Sequence, residues 1–245
     1  MKILGIIPAR YQSSRFPGKP LVDIKGKSMI QRVVEQARLS KLKDDVFVAT
    51  DDDRIIKHCK DSGINVVLTS DKHQSGTDRC YEAYENLKQK ANYIINIQGD
   101  EPFLDPNQIN ELLAHCDGKN ELLTQMIPIT SQEHLTDFGE VKIVLNEANE
   151  AIYFSRSPIP FIKDKPISEW IHHFQFYRHV GMYVYRTDCL EQISKMKPGK
   201  LEMAESLEQL RWLENGLKIK CVETKYESHC IDTPEDLQKV FRNLN

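Results

Sequence analysis

Four short apolar runs, separated by stretches long enough for a helix, occupy the first hundred residues and leave few folds open. They are "KILGIIPA" at 2–9, "VFVAT" at 46–50, "NVVLTS" at 65–70 and "YIINIQ" at 93–98. A strand that is apolar along its whole length is covered on both faces, as in a parallel sheet. The segments between the runs have helical signals. Ser28 stands as a cap before Met29, Ile30, Val33, Val34 and Ala37, which form one stripe at helical spacing. "DDDRIIKHCKDSG" opens with acids and closes on Gly63, which suits a second helix. "GTDRCYEAYENLKQK" reads as a third helix and 107–116 as a fourth. Alternation at these intervals predicts an α/β protein with an open, mostly parallel sheet and helices on both faces, of Rossmann type.

The second half loses that rhythm. "EVKIVLN", "AIYFSR" and "HVGMYVYR" read as strands with no helix between them, an antiparallel extension at about 138–187. Helices at about 187–196 and 202–215, a strand "KIKCVE" and a helix from Pro234 complete one expected domain over 1–245. With 33 basic and 36 acidic side chains the net charge is −3, so no global field favours nucleic acid or an anionic membrane. Any anion site must be local. No run approaches the ~20 apolar residues of a membrane span. The six cysteines are irregularly spaced without a C-x-x-C pair, which argues against a zinc site or a disulfide framework. These features read as a reduced, cytoplasmic, soluble protein.

In open α/β sheets ligands bind beyond the carboxyl ends of the strands, so the loops after them are where a site is expected. The first loop, "PARYQSSRFPGKPL", carries Arg10, Arg15 and Lys19 with Gly18, a set suited to a polyphosphate. It matches neither the Walker loop nor the dinucleotide G-x-G-x-x-G. The third strand leads to "HQSGTDR", where Ser75, Gly76 and Thr77 turn into a helix whose free N–H groups suit an anion, or where Thr77 is simply the cap. The fourth leads to "QGDEP", placing Asp100 where a carboxylate can hold a divalent cation or end a turn. Near the C-terminus "CIDTPEDL" sets Asp232 after a short expected strand, either as a second cation ligand or as the cap of the last helix. His172 and His173 are adjacent and, on a strand, would point apart, so they are read as structural.

"IPARYQSSRFPGKPL", "SGTDR", "NIQGDEP", "YFSRSPIP", "HVGMYVYR", "LEQLRWLENG" and "DTPEDL" follow one another in this order. Together they resemble the 3-deoxy-manno-octulosonate cytidylyltransferases, or CMP-Kdo synthetases, of Gram-negative bacteria over nearly the whole chain. The resemblance implies that CTP and Kdo give CMP-Kdo and pyrophosphate with Mg²⁺, in a cytoplasmic homodimer that pairs through its antiparallel part. It implies that Arg10, Arg15 and Lys19 hold the triphosphate, and that Pro8, Ala9, Ser75, Gly76 and Arg79 frame the nucleoside. It further implies that Arg10, Lys19 and Asp100 carry the catalytic role, that Asp100 and Asp232 bind magnesium, and that Gln98, Arg156, His179, Tyr183, Glu208 and Gln209 form the sugar site. Where the family commonly has a further basic residue after "FSR", this chain offers the lysines of "FIKDKP". On local pattern alone, His179, Gly181 and Tyr183 share a strand face opposite Val180, Met182 and Val184, and that face lines either solvent or a cleft. Three other readings stand beside this one. They are an 8-amino analogue of Kdo as the sugar, a non-catalytic nucleotide-binding module, and a glycosyltransferase, for which "DDD" at 51–53 mimics an acidic metal motif. The same acids also suit a helix start.

Overall fold

The computed structural model describes residues 1–12, 16–73, 75–227 and 230–243. The chain divides into two compact units, one of Met1–Leu113 with Glu227–Asn245 and one of Ala114–Tyr226.

The first unit holds β1 (Ile3–Pro8), a short antiparallel pair β2 (Asp23–Ile24) and β3 (Lys27–Ser28), then β4 (Val46–Thr50), β5 (Val66–Leu68) and β6 (Tyr93–Asn96). Its main strands are all parallel in the order β6-β1-β4-β5, with Ile3 opposite Tyr93, Gly5 opposite Val46 and Val48 opposite Val66. Ile6 and Ile7 point to opposite faces and both are wholly buried, so both faces are covered. The helices are α1 (Met29–Arg38), α2 (Asp53–Asp61), α3 (Gly76–Leu87) and α4 (Pro106–Leu113). Ser28 caps α1 by accepting from Gln31 N, and the five apolar residues of the predicted stripe are all buried. Met29, Ile30, Val33 and Val34 each contribute roughly 1.5–3 kcal/mol, and the single methyl of Ala37 less. The strand order puts β1 in the interior of this sheet, and the loop after it carries the basic cluster.

The second unit is built on β7 (Leu122–Pro128), which pairs antiparallel with β10 (Tyr177–Arg186) and parallel with β11 (Lys220–Glu223). β8 (Lys142–Leu145) joins β10 to β9 (Ala151–Ser155) in antiparallel register. The short helices are α5 (Gln132–Thr136), α6 (Trp170–His173), α7 (Thr187–Ser194), α8 (Lys200–Glu205) and α9 (Gln209–Glu214). β7 is absent from the strands expected above. Its run "LLTQMIP" contains Thr124 and Gln125, two polar residues that are nonetheless wholly buried, and this hides the apolar signature. The helix expected over 202–215 is two helices, because Ser206 takes a left-handed conformation (φ 54°) and stops the first. His172 and His173 lie on the helical turn α6 and not on a strand; His173 Nε2 is 3.7 Å from Glu169, one turn back. All six cysteines are free thiols. Among the described residues no helix is long and apolar enough to cross a membrane.

Candidate active site

The basic loop after β1 is shaped by one glycine. Gly18 has φ +75°, a conformation that favours glycine, and a Cβ there would lie 3.1 Å from the Tyr11 hydroxyl. Its N–H bonds Tyr11 O at 2.9 Å and its carbonyl accepts from Leu21 N at 2.9 Å, closing the loop into the turn that starts at Lys19. Arg54, from α2, lays its guanidinium 3.3 Å from the Tyr11 ring centre, which steadies the start of the loop. Arg15, expected on the triphosphate, lies outside the described residues.

Lys19 leaves this turn and reaches two carboxylates, with Nζ 2.7 Å from Asp100 Oδ2 and 3.0 Å from Asp232 Oδ1. Desolvation alone would lower the ammonium's pKa. The two aspartates outweigh it and hold the pKa above its ordinary value, so Lys19 stays charged. Residues 213 positions apart meet because Ile231 N donates to the Asp100 carbonyl at 2.9 Å, tying the C-terminal segment to the loop after β6. The short strand expected there is not formed among the described residues. The cap of the last helix, Pro234–Asn243, is Thr233 and not Asp232. Thr233 Oγ1 accepts from Asp236 N at 3.2 Å, while the Asp236 carboxylate accepts from Thr233 N at 3.1 Å. The Asp232 carboxylate instead lines the cleft, where it accepts from Lys19.

Pro8, Ala9, Arg10, Lys19, Ser75, Gly76, Arg79, Gln98, Asp100 and Asp232 line one cleft of the first unit. Gln98, which the resemblance assigns to the sugar, is therefore among the residues expected on the nucleotide. Gly99 lets the wall close, since a Cβ there would stand 2.9 Å from the Pro8 carbonyl oxygen. Ser75 caps α3 by accepting from Asp78 N, so the cap is not Thr77, which is buried one position inside. The positive end of α3 thus opens on the cleft. Arg79 is buried and committed to protein partners, with Nη1 2.7 Å from both Asp51 Oδ1 and Thr69 Oγ1. The first two acids of "DDD" are likewise engaged. Asp51 pairs Arg79, Asp52 caps α2 and pairs Arg54, and Asp53 opens the helix. His73 also lines the cleft, its Nε2 joined to the Glu82 carboxylate. It belongs to the "HQSGTDR" loop, where no local pattern gives it a role.

The remaining predicted residues belong to the second unit. His179 and Tyr183 share a side of β10, with ring centres 5.1 Å apart, but by way of a bulge. Thr124 Oγ1 lies 3.2 Å from the Val180 carbonyl and 2.9 Å from that of Met182, filling the interrupted ladder. The simple alternation read from the sequence is therefore broken, and Val180, Met182, Tyr183, Val184 and Tyr185 are all buried. Burial pushes the His179 imidazole down to about 3, so it is neutral. Thr124 has one proton, directed at a carbonyl, so at 2.9 Å it accepts from His179 Nε2–H. That leaves Nδ1 as an acceptor. Burial also raises the Tyr183 phenol well above its ordinary value, keeping it a donor.

Arg156 follows β9 and is held by Glu205. Its N–H donates to the carboxylate at 3.0 Å and its Nε to the carbonyl at 2.9 Å, while Nη1 reaches Phe138 O at 3.2 Å. Lys163 and Lys165 of "FIKDKP" are exposed. Glu208 precedes α9 and Gln209 is its first residue, buried, so both sit at a helix start instead of along a solvated face. Arg211 clamps Glu202 with two bonds, 2.7 and 2.5 Å, fixing α8 on α9.

A family profile described as "Cytidylyltransferase" matches residues 4–219. A 3-deoxy-manno-octulosonate cytidylyltransferase of Parabacteroides distasonis is 51% identical, over 100% of this chain and 98% of the relative. One of Cytophaga hutchinsonii is 49% identical, over 98% and 96%. Among solved structures, a CMP:2-keto-3-deoxy-manno-octonic acid synthetase complexed with CTP superposes with a TM-score of 0.91 at 39% identity, over 100% of this chain and 98% of the other. A cytidylyltransferase of Leptospira borgpetersenii, at 17% identity and a TM-score of 0.63 over 98% and 85%, shares the fold.

Proposed function

The chain belongs to the cytidylyltransferases, among the 3-deoxy-manno-octulosonate enzymes, and from that premise we propose that it activates Kdo by transfer of CMP from CTP. The anomeric hydroxyl oxygen of Kdo attacks the α-phosphorus, the bond to the β-phosphate oxygen breaks, pyrophosphate leaves and the hydroxyl proton passes to water. Both substrates are anions, so catalysis must neutralise charge before it can position anything. The observation that carries this reading is the cleft of the first unit. There Arg10, Lys19 and the N-terminal end of α3 converge beside two carboxylates.

Lys19 Nζ marks a point 2.7 and 3.0 Å from oxygens of Asp100 and Asp232. Two carboxylates aimed at one point suit a hard dication, which takes one or two carboxylates along with phosphate oxygens and water. Asp100 and Asp232 would hold such a Mg²⁺, which would supply charge neutralisation at the phosphates. Lys19 and Arg10 bind the triphosphate oxygens, with Lys19 turning from carboxylate to phosphate. Arg79, anchored by Asp51, gives the nucleoside a rigid wall. In the second unit, His179 Nδ1 accepts from a sugar hydroxyl, the Tyr183 phenol donates, and Glu208 and Gln209 add an acceptor and an amide. Arg156 is the cation proposed for the sugar carboxylate. Asp51 paired to Arg79, Asp52 capping α2 and Asp53 at the start of that helix are what the helix-start reading expects, which disfavours the glycosyltransferase.

The chain works in this reading as a cytoplasmic homodimer. The exposed Phe161 and Phe174 around Trp170 in the second unit supply apolar surface for pairing. The test of the function is pyrophosphate release from each of four nucleoside triphosphates with Kdo, its 8-amino analogue or a sialic acid, with and without Mg²⁺. Release with CTP, Kdo and Mg²⁺ is expected. CTP binding without turnover on any of these sugars overturns the reading, and preference for the 8-amino sugar replaces the substrate while keeping the chemistry.

A further inference from the structure

Cys230 stands apart from the other cysteines. Cys59, Cys80, Cys116, Cys189 and Cys221 are buried, whereas Cys230 is exposed and lies two residues before Asp232. Ile231, between Cys230 and Asp232, donates its N–H to the Asp100 carbonyl at 2.9 Å, which holds both neighbours against the loop that carries Asp100. One donor atom each from Asp100, Cys230 and Asp232 therefore lies within 4.8 Å of the others, a grouping without parallel among the described residues. We infer that these three side chains form a mixed oxygen–sulfur site that takes thiophilic divalent cations, Zn²⁺ or Cd²⁺, in competition with the Mg²⁺ of the reaction.

The inference rests on reading Asp100 and Asp232 as a cation site and adds the thiol to it. Mg²⁺ demands oxygen ligands and gains nothing from sulfur. Soft sulfur selects zinc and its heavier relatives. Zinc bonds of ~2.3 Å to sulfur and ~2.0–2.2 Å to carboxylate oxygen allow donors up to ~4.5 Å apart, so small side-chain rotations close the present set on one ion. Lys19, which sits on both carboxylates, gives way to the doubly charged cation. Such a cation occupies the carboxylates that Mg²⁺ needs and so inhibits turnover.

The experiment titrates nucleotide-free protein with Cd²⁺, reading the ultraviolet sulfur-to-cadmium charge-transfer band, and measures Cd²⁺ and Mg²⁺ dissociation constants by calorimetry. Wild-type protein is compared with Cys230→Ser, Cys230→Ala and Asp100→Asn. The expected result is a saturable band at one ion per chain, abolished in both Cys230 variants, which keep the five buried thiols. Their Cd²⁺ affinity should fall more than ~10-fold, the lower end for loss of even an outer partner of a metal site, and the preference for Cd²⁺ over Mg²⁺ should narrow. Asp100→Asn should weaken the band's binding constant by a similar factor. The inference is overturned if the band persists without Cys230, if it is indifferent to Asp100, or if wild-type protein shows none. That last result alongside Mg²⁺-dependent pyrophosphate release would remove the thiol and leave the proposed function intact. A band that needs both Asp100 and Cys230, in a protein that releases no pyrophosphate, would sustain the inference while the proposed function fails.

Discussion

The two units present their polar residues in opposite ways. In the first, charged side chains from loops after parallel strands line an open cleft. Lys19, Asp100 and Asp232 keep 13%, 23% and 34% of their side-chain surface exposed. In the second, a neutral imidazole, a phenol and an amide are packed among aromatic rings on a bulged strand and a helix start. The first design separates chemistry from folding, since the sheet stands whatever the loops carry. The second makes the same residues serve both. Substitutions should therefore divide by unit, into those that stop turnover and those that unfold the chain.

The largest expected effect is on the second unit's core. Trp212 is 1% exposed and sets its ring edge-on to Tyr183 and Tyr185, at 4.9 and 5.7 Å. Trp212→Ala should cost about 3–5 kcal/mol of stability, read by urea unfolding. A loss below ~1 kcal/mol would end the claim that this polar set is part of the core. Next is Asp100→Asn, which should slow turnover ~10²–10³-fold, the scale for removing a transition-state stabiliser, with the unfolding midpoint nearly unchanged. Near-normal turnover at saturating Mg²⁺ would remove Asp100 from catalysis, and a matching loss of stability would erase the contrast between the units.

How legible each unit is in the sequence follows from the same contrast. Three of the parallel strands, β1, β4 and β6, announce themselves because they are largely buried, while β5 has the same apolar run yet leaves Leu68 60% exposed; α1 and α2 carry their caps openly. The cleft was legible as three motifs, because loop residues keep their chemistry whatever the fold does around them. β7 escaped, since Thr124 and Gln125 serve the bulge of β10 and the buried interior, and no local pattern marks a polar residue as buried. The break at Ser206 is also invisible, because serine rarely adopts a left-handed conformation. Two further residues could have been found. Cys230 stands two positions before Asp232, and His73 opens the "HQSGTDR" motif. Asp232 and Thr233 show the limit of local reading, because either could cap a helix and only the placement of Asp236 decides between them.

That cap offers a finer division. Thr233→Ala removes the acceptor for Asp236 N and should cost about 1 kcal/mol, measured by thermal unfolding. Because Asp232 precedes the cap directly, the variant should also raise the Mg²⁺ concentration needed for half-maximal turnover. Thr233→Ser, which keeps the hydroxyl, should restore both. An unchanged Mg²⁺ requirement would show that Asp232 is positioned by the Ile231–Asp100 tie alone.

The subtlest prediction concerns His179, a neutral imidazole among the aromatic rings of the second unit, whereas the cleft of the first is lined by charged groups. Its folded pKa of about 3 lies below the ordinary value of 6.5. Between these values the unfolded chain binds a proton that the folded chain refuses, so unfolding takes up a proton there. Stability conferred by the neutral ring is complete above pH 6.5 and is lost as pH falls toward 3. Wild-type protein should therefore lose more stability between pH 7 and pH 5 than His179→Gln, whose amide still donates to Thr124 but does not titrate. Urea unfolding of both proteins at the two pH values measures the difference. Parallel losses would mean that His179 titrates as it does in water. It would then meet the sugar as a solvated side chain like those of the first unit, and the distinction between a folded-in site and a loop-borne one would fail at the residue that most embodies it.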